Sequence, residues 1–451
     1  MSAELVERAL SLSRADGCVV VVSETARLDL RWAGSSLTTN GAGRSRTVVV
    51  VSVLGDRVGV RTASSDDDLE ELVRASEAAA RDAGPAEDAR PLVEGPAEDG
   101  FGDPAEEVSP SVLAGFAAAL GERFDAARGD GLQLYGYASH EHTTTWLGSS
   151  TGLRRRHSAP KGYVEVTGKD GRPGGSSWVG RSTRDWSDVD VDALDAELRR
   201  RLSWGARSLE LPAGEHETLL PPSAVADLMV SAYWRMSGRD AAEGRSTFSR
   251  PGGGTRVGER LGPARLRLWS DPHDPELGTL PFAVASASSS VSSVFDNGLA
   301  LPATDWVRDG ELAALLETRH TADRRGVPVT PYVHNLLLDG GGTASVDEMV
   351  ARTDRGLLLT SLWYIREVDP QTLLVTGLTR DGVYLVEGGE VVGAVNNFRF
   401  NESPVGLLSR VTEVGRRERT LPREMSDWFT WVAMPPLRVP DFRMSSVSPA
   451  S

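Results

Sequence analysis

The sequence changes its pattern near Pro212, and this change constrains the fold more than any other feature. Before it, helical periodicities such as residues 3–13 and 111–128 alternate with runs of strand-forming residues. After it, short strands and turns follow one another closely and helices are few. The sequence therefore predicts an α+β fold in two domains. Residues 1–211 form helices packed on an antiparallel sheet, and residues 212–451 form a β-rich domain, either barrel-like or a curled antiparallel sheet.

The N-terminal part has strong signals for individual elements. Ser64, Ser65 and Asp66 offer N-cap chemistry for a helix that ends near Ala83, and a further helix is predicted over 191–208. Strands are predicted over residues 19–22, 26–32, 47–54, 132–139, 143–147 and 163–167, with Arg154-Arg155-Arg156 in a connecting loop. The acidic segment 84–110, which contains Gly-Pro-Ala-Glu-Asp twice, is interpreted as a linker or surface excursion.

The C-terminal part contains helix signals at residues 222–236 and 345–353. Strands are predicted over residues 357–364, 372–379, 382–387 and 390–397. Gly388-Gly389 separates the last two strands by the length of a tight hairpin turn.

Charge and composition exclude several classes of function. The 64 acidic residues outnumber the 49 basic ones, so the field of the chain repels phosphate backbones and anionic lipids, and we expect neither nucleic acid nor membrane as a partner. The N-terminus has no signal pattern, which favours the cytoplasm. Cys18 is the only cysteine, so an internal disulfide and a cysteine-based zinc site are excluded, and a buried structural thiol is expected.

Several local clusters could carry chemistry, but each also has a structural interpretation. His140 and His142 would share one face of a strand and could bind a metal, although an exposed polar strand end is also compatible with them. Prolines favour a rigid turn rather than a ligand set at Asp271, His273, Asp274 and Glu276. The serines at 288–290 and 292–293 lack a nucleophile elbow, and the glycine runs 252–254 and 340–342 lack a following phosphate-binding lysine.

A set of short strings, taken together and in order, resembles the TldD/PmbA family of modulators of DNA gyrase. The strings are Ser-Asp-Pro-His-Asp-Pro at 270–275, Phe-Asp-Asn-Gly at 295–298, Thr-Ala-Ser-Val-Asp-Glu-Met at 343–349, Asp-Arg-Gly-Leu-Leu-Leu-Thr at 354–360, Thr-Gly at 376–377, Gly-Val-Tyr-Leu-Val-Glu-Gly-Gly at 382–389, Pro-Val-Gly-Leu-Leu-Ser-Arg-Val at 404–411 and Leu-Arg-Val-Pro-Asp-Phe at 437–442. The resemblance covers nearly the whole chain and implies the same two-domain architecture.

The resemblance also shows what this chain lacks. Catalytic members of the family carry His-Glu-x-x-x-His on the helix that opens the C-terminal domain, where two imidazoles hold a metal and a carboxylate moves the proton of its bound water. Val230, Ser231 and Arg235 occupy those positions here, and no His or Glu occurs between residues 218 and 242. The stretch 427–436, where those members supply a cysteine ligand, contains none. The chain thus resembles the metal-free, TldE-type subunits.

The resemblance implies a subunit of a TldD/TldE metallopeptidase that cleaves or trims peptides. A TldD-type partner would supply a zinc-type divalent metal and the general base, while this chain binds no cofactor, contributes no catalytic residue and helps to hold an extended peptide. Substrate-binding residues are not predicted. One alternative is a non-catalytic peptide-binding or scaffolding protein that has kept the fold. Another is peptide hydrolysis by this chain alone at a displaced site such as His140 and His142.

Overall fold

A computed structural model of the chain describes residues 2–64, 68–172 and 174–449. In these ranges the strands form three sheets, and the helices pack against them. The predicted α+β class is confirmed, with an antiparallel sheet in the N-terminal part and curled sheets in the C-terminal part. Within the same ranges, no helix is both long and apolar enough to cross a membrane.

The first sheet is built from six long antiparallel strands in the order β3-β2-β1-β4-β5-β6. Their bounds are β1 Gly17–Ala33, β2 Ser36–Leu54, β3 Arg57–Ala63, β4 Gln133–Ser149, β5 Arg154–Lys169 and β6 Ser176–Thr183. The strands predicted at 19–22 and 26–32 are one strand, because β1 pairs without a break with both β2 and β4 across the polar residues between them. Those predicted at 132–139 and 143–147 merge into β4 for the same reason.

The loop predicted at Arg154-Arg155-Arg156 is wrong, because these residues begin β5. Arg154, Arg155 and Arg156 pair with residues 146–148 of β4, directly after a tight turn. Glu98 lies beside this strand end, and its carboxylate accepts a hydrogen bond from the backbone N–H of Arg156 at 3.2 Å and forms an ion pair with Arg155. A basic run can therefore lie within a strand when a neighbouring acidic segment compensates its charge.

The period-two alternation of β1 gives the first sheet two different apolar faces. Val20 and Val22 face the helices α1 Ser2–Leu12 and α2 Leu69–Asp82. The helices α3 Ala114–Gly129 and α4 Val191–Trp204 cover the other half of the same face. Val19 and Val21 point the opposite way and pack with Phe282 of the C-terminal part. Alternating valines thus join the two parts of the molecule.

The ends of the helices follow from local capping. The side chain of Asp68 accepts the N–H of Glu71 and begins α2, whereas Ser65 and Asp66, at which the cap was predicted, lie outside the described residues. The helix predicted over 111–128 consists of a 3-10 turn, Pro110–Leu113, followed by α3. The helix predicted over 191–208 ends at Trp204, before a short strand at 208–209.

The C-terminal part contains a six-stranded and a ten-stranded sheet. The first has the order β11-β10-β9-β12-β21-β20, and the second has the order β14-β15-β18-β22-β8-β13-β16-β17-β7 with β19 added on β22. The bounds are β7 Ser208–Leu209, β8 Gly214–Leu220, β9 Arg267–Ser270, β10 Thr304–Arg308, β11 Glu311–Leu312, β12 Asn335–Asp339, β13 Arg355–Leu359, β14 Leu362–Asp369, β15 Leu374–Thr379, β16 Val383–Glu387, β17 Glu390–Val395, β18 Phe398–Glu402, β19 Glu413–Val414, β20 Glu418–Thr420, β21 Trp431–Met434 and β22 Leu437–Val447.

The single strand predicted at 357–364 is two strands, because the chain leaves the sheet centre between them. Thr360 donates both its backbone N–H and its hydroxyl to the carbonyl of Gly382, at 2.9 and 3.0 Å. β13 lies inside the sheet, whereas β14 continues at its edge. The hairpin predicted at Gly388-Gly389 is confirmed, with φ of 58° and 84° at the two glycines, values that favour residues without a Cβ.

Short helices complete the C-terminal part: α5 Pro222–Tyr233, α6 Gly238–Ala242, α7 Arg319–Arg325, α8 Val346–Ala351 and α9 Pro404–Leu408. Helix α5 contacts β8, β20, β21 and α9 and lies in the largest apolar cluster of the molecule. Its first helical residue is Pro222, which tolerates the missing intrahelical bond at that position.

The segment predicted as an acidic linker lies against both parts of the molecule. Leu92 is buried beside Val19 and Phe282, and Asp88 accepts a hydrogen bond from the hydroxyl of Ser293 at 2.6 Å. Arg90 forms an ion pair with Asp323 of α7 at 2.9 Å. Little regular structure occurs between residues 83 and 109. The limits 1–211 and 212–451 stay a prediction, and β7 at 208–209 already pairs with β17 of the second part.

Candidate functional site

Helix α5 contains two of the three positions at which catalytic members of the resembled family carry their motif. Val230 is completely buried among apolar side chains, and the hydroxyl of Ser231 donates to the carbonyl of Asp227 one turn earlier, at 2.8 Å. Arg235 lies beyond the helix end, where its Nε is 2.7 Å from a carboxylate oxygen of Glu367 on β14. Packing and local polar contacts therefore engage all three side chains.

Asp227 is the polar centre of α5, and no local sequence pattern selects it. Its carboxylate accepts the backbone N–H groups of Arg423, Glu424 and Met425, at 3.2, 3.0 and 3.2 Å. Burial raises the pKa of this carboxyl well above its ordinary value, while the three N–H donors favour the charged form. The carboxylate thus fixes a loop 196 residues further along the chain to the buried helix.

Arg423, in that loop, is held between two tryptophans from different parts of the molecule. Its guanidinium carbon is 5.7 Å from the ring centre of Trp178 on β6 and 5.1 Å from that of Trp363 on β14. It donates to the hydroxyl of Ser361 at 2.8 Å and forms an ion pair with Asp381. Burial acts to raise the pKa of Asp381, but the charge of Arg423 together with hydrogen bonds from Ser176 and Arg423 outweighs it and leaves the pKa below its ordinary value.

The stretch 427–436, where the resemblance placed a missing cysteine ligand, packs against the first sheet. The hydroxyl of Tyr163 on β5 donates to the carboxylate of Asp427 at 3.0 Å, and burial raises the pKa of this tyrosine. Phe429 is buried, and the hydroxyl of Thr430 donates to the carbonyl of Ser426 at 3.1 Å. Trp428, in contrast, is 70% exposed.

The histidine pair predicted as a candidate site lies on β4, and each ring already has a partner. Nδ1 of His140 accepts the indole N–H of Trp186 at 3.2 Å, and Nε2 of His142 is 3.0 Å from the hydroxyl of Ser158. Burial lowers the pKa of both imidazoles. Glu141, between them, pairs with Arg27 and Lys161, at 3.0 and 3.1 Å. These contacts fit a structural role.

The acidic cluster at 271–276 is a self-capped turn. The carboxylate of Asp271 accepts the N–H of His273 at 2.9 Å, and that of Asp274 accepts the N–H groups of Glu276 and Leu277, at 3.0 and 2.8 Å. Across the part of the chain that the structure describes, no group of three or more His, Cys, Asp or Glu side chains could hold a metal ion.

The serines at 288–293 form a hydrogen-bonded loop. The hydroxyls of Ser289 and Ser292 are 2.8 Å apart, and that of Ser290 donates to the carboxylate of Asp240 at 3.0 Å. The hydroxyl of Ser288 accepts the N–H of Val294 at 3.2 Å. Their partners are thus other serines, a carboxylate and backbone groups, as in a structural loop.

The glycine runs serve backbone geometry, and Cys18 is structural. Gly252, Gly253 and Gly254 all have positive φ, as a turn requires. A Cβ on Gly342 would lie 1.8 Å from the carbonyl oxygen of Val414, so this position needs glycine for close packing. Cys18 is buried, and burial raises the pKa of its thiol to about 11.

Comparison with known protein families identifies the family of this chain. The model of the PmbA/TldA metallopeptidase C-terminal domain matches residues 213–446, which is more than half of the chain. The chain belongs to the TldD/PmbA family. The match covers α5 and the loop that Asp227 holds. A search of curated protein sequences gave no match.

Solved structures share the fold of this TldD/PmbA chain over almost its full length. TldE from Thermococcus kodakarensis is 17% identical, with a TM-score of 0.79, and the match covers 98% of this chain and 99% of TldE. A protein described as a modulator of a DNA gyrase from Thermotoga maritima is 17% identical, with a TM-score of 0.77 and coverage of 98% and 100%. Another so described, from Bacteroides thetaiotaomicron, is 12% identical, with a TM-score of 0.78 and coverage of 98% of each chain.

Proposed function

We propose that this chain is the TldE-type subunit of a cytoplasmic, heteromeric TldD/TldE metallopeptidase that cleaves or trims peptides. It pairs with a TldD-type subunit, which supplies a zinc-type divalent metal and the general base for amide hydrolysis. Family membership and the fold shared with a TldE support this proposal. The chain's own contribution is then to complete the complex and to help hold the peptide.

The state of α5 is the observation that carries the proposal. A catalytic metal requires imidazole or carboxylate ligands around an open coordination position. At the corresponding positions this helix has an apolar side chain, a hydroxyl bonded to its own helix and an arginine paired with Glu367. Helix α5 therefore acts as a core element, and catalysis needs a second subunit.

Strand β14 is the feature best suited to holding an extended peptide. It is an edge strand of the ten-stranded sheet, and Glu367 on it contacts Arg235 beside the end of α5. An edge strand can pair with a peptide backbone whatever the peptide's sequence. Tyr364 and Val368 on this strand are exposed, at 53% and 56%, and can cover the side chains of such a peptide.

The test is a reconstitution with a TldD-type protein that carries His-Glu-x-x-x-His. Each protein alone and their mixture are assayed for bound zinc by mass spectrometry and for cleavage of an unstructured peptide. We expect full cleavage only in the mixture, with the metal in the partner. A Trp428→Ser variant tests whether this exposed indole contributes to the contact, and Val257→Ser, at a residue that is 40% exposed, is the matched control.

The outcomes separate the alternatives. A mixture that forms no complex and cleaves no better than the TldD-type protein alone would contradict the proposal. Peptide binding without any effect on cleavage would favour a non-catalytic binding or scaffolding protein. Stoichiometric zinc together with cleavage by this chain alone would place the reaction here and overturn the assignment.

A further inference from the structure

A cavity with a volume of about 250 Å³ lies where the two parts of the molecule meet. The elements around it are α4 and β6 from the N-terminal part and α8, β20 and the first turn of α5 from the C-terminal part. The cavity is partly open to solvent. The family domain begins at residue 213, so the N-terminal wall of the cavity lies outside it.

The cavity lining carries more positive than negative charge, although the whole chain has a net charge of −15. Its charged lining residues are Arg181, Arg200, Arg201 and Arg419 against Glu197, Asp347 and Glu418. All but Arg181 have ion-pair partners. Glu197 pairs with Arg200 and Arg201, Asp347 with Arg200, Glu418 with Arg416, and Arg419 with Asp188 outside the cavity.

Arg181, on the edge strand β6, is the exception. Its guanidinium donates to the carbonyl of the preceding residue, Gly180, at 3.2 Å. Among the described residues, no carboxylate oxygen lies within 4.0 Å of it. The side chain lines the cavity and is exposed to solvent. An anion in the cavity can therefore pair with this guanidinium without displacing a carboxylate.

The neighbouring cation Arg419 adds to the same positive potential. Burial, and next the like charges of Arg184 and Arg181, lower its pKa. Helix α5 begins at the cavity wall without a side-chain cap, so its uncapped N-terminal end adds partial positive charge there. The guanidinium groups of Arg181 and Arg419 and the N-terminal end of α5 therefore all border the same cavity.

The uncharged walls indicate what kind of anion fits. Trp178, Trp204, Pro222 and Leu358 line the cavity, and these apolar surfaces suit a carbon skeleton better than a hydrated inorganic ion. The planar fork of a guanidinium matches the two oxygens of a carboxylate. A carboxylate attached to an apolar residue satisfies both features.

We propose that this cavity is a binding site for the carboxylate group of a peptide, with Arg181 as the principal cation. The carboxylate belongs either to the peptide C-terminus or to an acidic side chain. The assignment rests on the proposed function only in taking a peptide as the source, because the charges and walls of the cavity favour an organic carboxylate in any case.

The test uses the isolated full-length chain, so that it does not depend on a partner or on catalysis. Calorimetric titrations compare N-acetyl-leucine, which carries a terminal carboxylate, with N-acetyl-leucinamide, which does not. N-acetyl-glutamic acid α-amide presents a side-chain carboxylate, and inorganic phosphate is the fourth probe. We expect at least one carboxylate to bind about tenfold more tightly than the leucinamide.

Three variants assign the binding to Arg181. Arg181→Gln removes the charge and should weaken carboxylate binding about tenfold, whereas Arg181→Lys keeps the charge without the fork and should have an intermediate effect. Arg61→Gln is the matched control, because Arg61 is exposed on β3, the opposite edge strand of the same sheet, and donates to the carbonyl of its preceding residue at 2.8 Å. Thermal unfolding verifies that each variant is folded.

The relative affinities decide the proposal. Preference for N-acetyl-leucine assigns the site to a peptide C-terminus, and preference for the glutamic acid amide assigns it to an acidic side chain. Equal binding of acid and amide, undiminished binding to a folded Arg181→Gln variant, or a preference for phosphate would overturn it. A chain that binds carboxylates but does not activate a TldD-type partner would refute the proposed function and leave this site standing.

Discussion

The first turn of helix α5 borders the arginine-lined cavity, yet the charged groups of the helix and of the cavity differ in their partners. Within α5, Asp227 has a full set of backbone donors, although they come from a distant loop. In the cavity, Arg181 has one carbonyl from its own strand. A buried charge with all its partners is typical of a structural element, whereas a cavity-lining cation without a carboxylate partner is available to a ligand.

The comparison indicates which region of this chain has a charged side chain available to a ligand. Helix α5, where the resemblance places the metal motif of catalytic members, is part of the core here, and its one acidic residue serves to hold a loop. The side chain without a carboxylate partner, Arg181 on β6, lines the cavity beside the first turn of this helix. Substitutions inside α5 and in the cavity should therefore have effects of very different size on stability.

Of the substitutions considered, Asp227→Ala should have the largest effect on stability. It leaves the N–H groups of Arg423, Glu424 and Met425 without their acceptor in a water-poor region. We expect the free energy of unfolding to fall by about 4 kcal/mol, since each unsatisfied buried donor costs about 1–3 kcal/mol and the loop relaxes in part. Urea denaturation followed by circular dichroism measures the change.

Asp227→Asn is the matched control for that experiment, because an amide oxygen keeps part of the accepting capacity and the volume is unchanged. The asparagine variant should lower the free energy of unfolding clearly less than the alanine variant does. Equal losses in the two variants would mean that packing, and not the hydrogen bonds to the loop, makes this position important.

Val230→His, which restores one residue of the catalytic motif, should have the next largest effect. Val230 is completely buried in the apolar core, so an imidazole is both too large and too polar for its place. We expect a loss of about 3 kcal/mol in unfolding free energy and no gain of zinc affinity by calorimetry. Val230→Ile is the control for size alone. A stable Val230→His protein would show that α5 tolerates an imidazole at this position.

The Asp381–Arg423 pair should make stability depend on pH. Because the folded pKa of Asp381 is lowered, its contribution is complete above the unfolded pKa of about 3.9 and is lost as the pH falls through the lower folded value. Asp381→Asn should therefore cost about 2 kcal/mol at pH 7 and progressively less below about pH 4. Denaturant titrations at a series of pH values measure the free energy of unfolding of the wild type and of the Asp381→Asn variant. A difference that does not change with pH would mean that the carboxylate charge is unimportant.

The sequence predicted the local elements of both regions better than their connections. Helix α5 and the hairpin at Gly388-Gly389 follow from periodicity and turn chemistry within a few residues. The role of Asp227 depends on partners 196–198 residues away, which no local pattern reveals. The missing partner of Arg181 is equally invisible, because it results from how β6, α4 and β20 meet.

The predicted strands are shorter than the observed ones for a related reason. Polar residues in the middle of β1 and β4 interrupt the apolar pattern, yet both strands continue because each has a paired neighbour on either side. Thr25 lies in the predicted gap between residues 22 and 26, and Thr143 borders the gap between residues 139 and 143. Their hydroxyls are hydrogen-bonded to each other at 2.9 Å. Pairing across a sheet thus overrides a local preference.

Arg181→Gln should have the smallest effect on stability, and its sign distinguishes the cavity from the helix. The substitution breaks no ion pair among the described residues, and it removes both the repulsion with Arg201 and Arg419 and the attraction to Glu197 and Glu418. We expect an unfolding free energy within about 0.5 kcal/mol of the wild type, or slightly higher, in the same urea experiment that finds the large loss for Asp227→Ala. Arg61→Gln gives the baseline for an exposed arginine. A loss above about 1 kcal/mol for Arg181→Gln alone would show that the folded protein already uses this guanidinium, and the contrast between α5 and the cavity would fail.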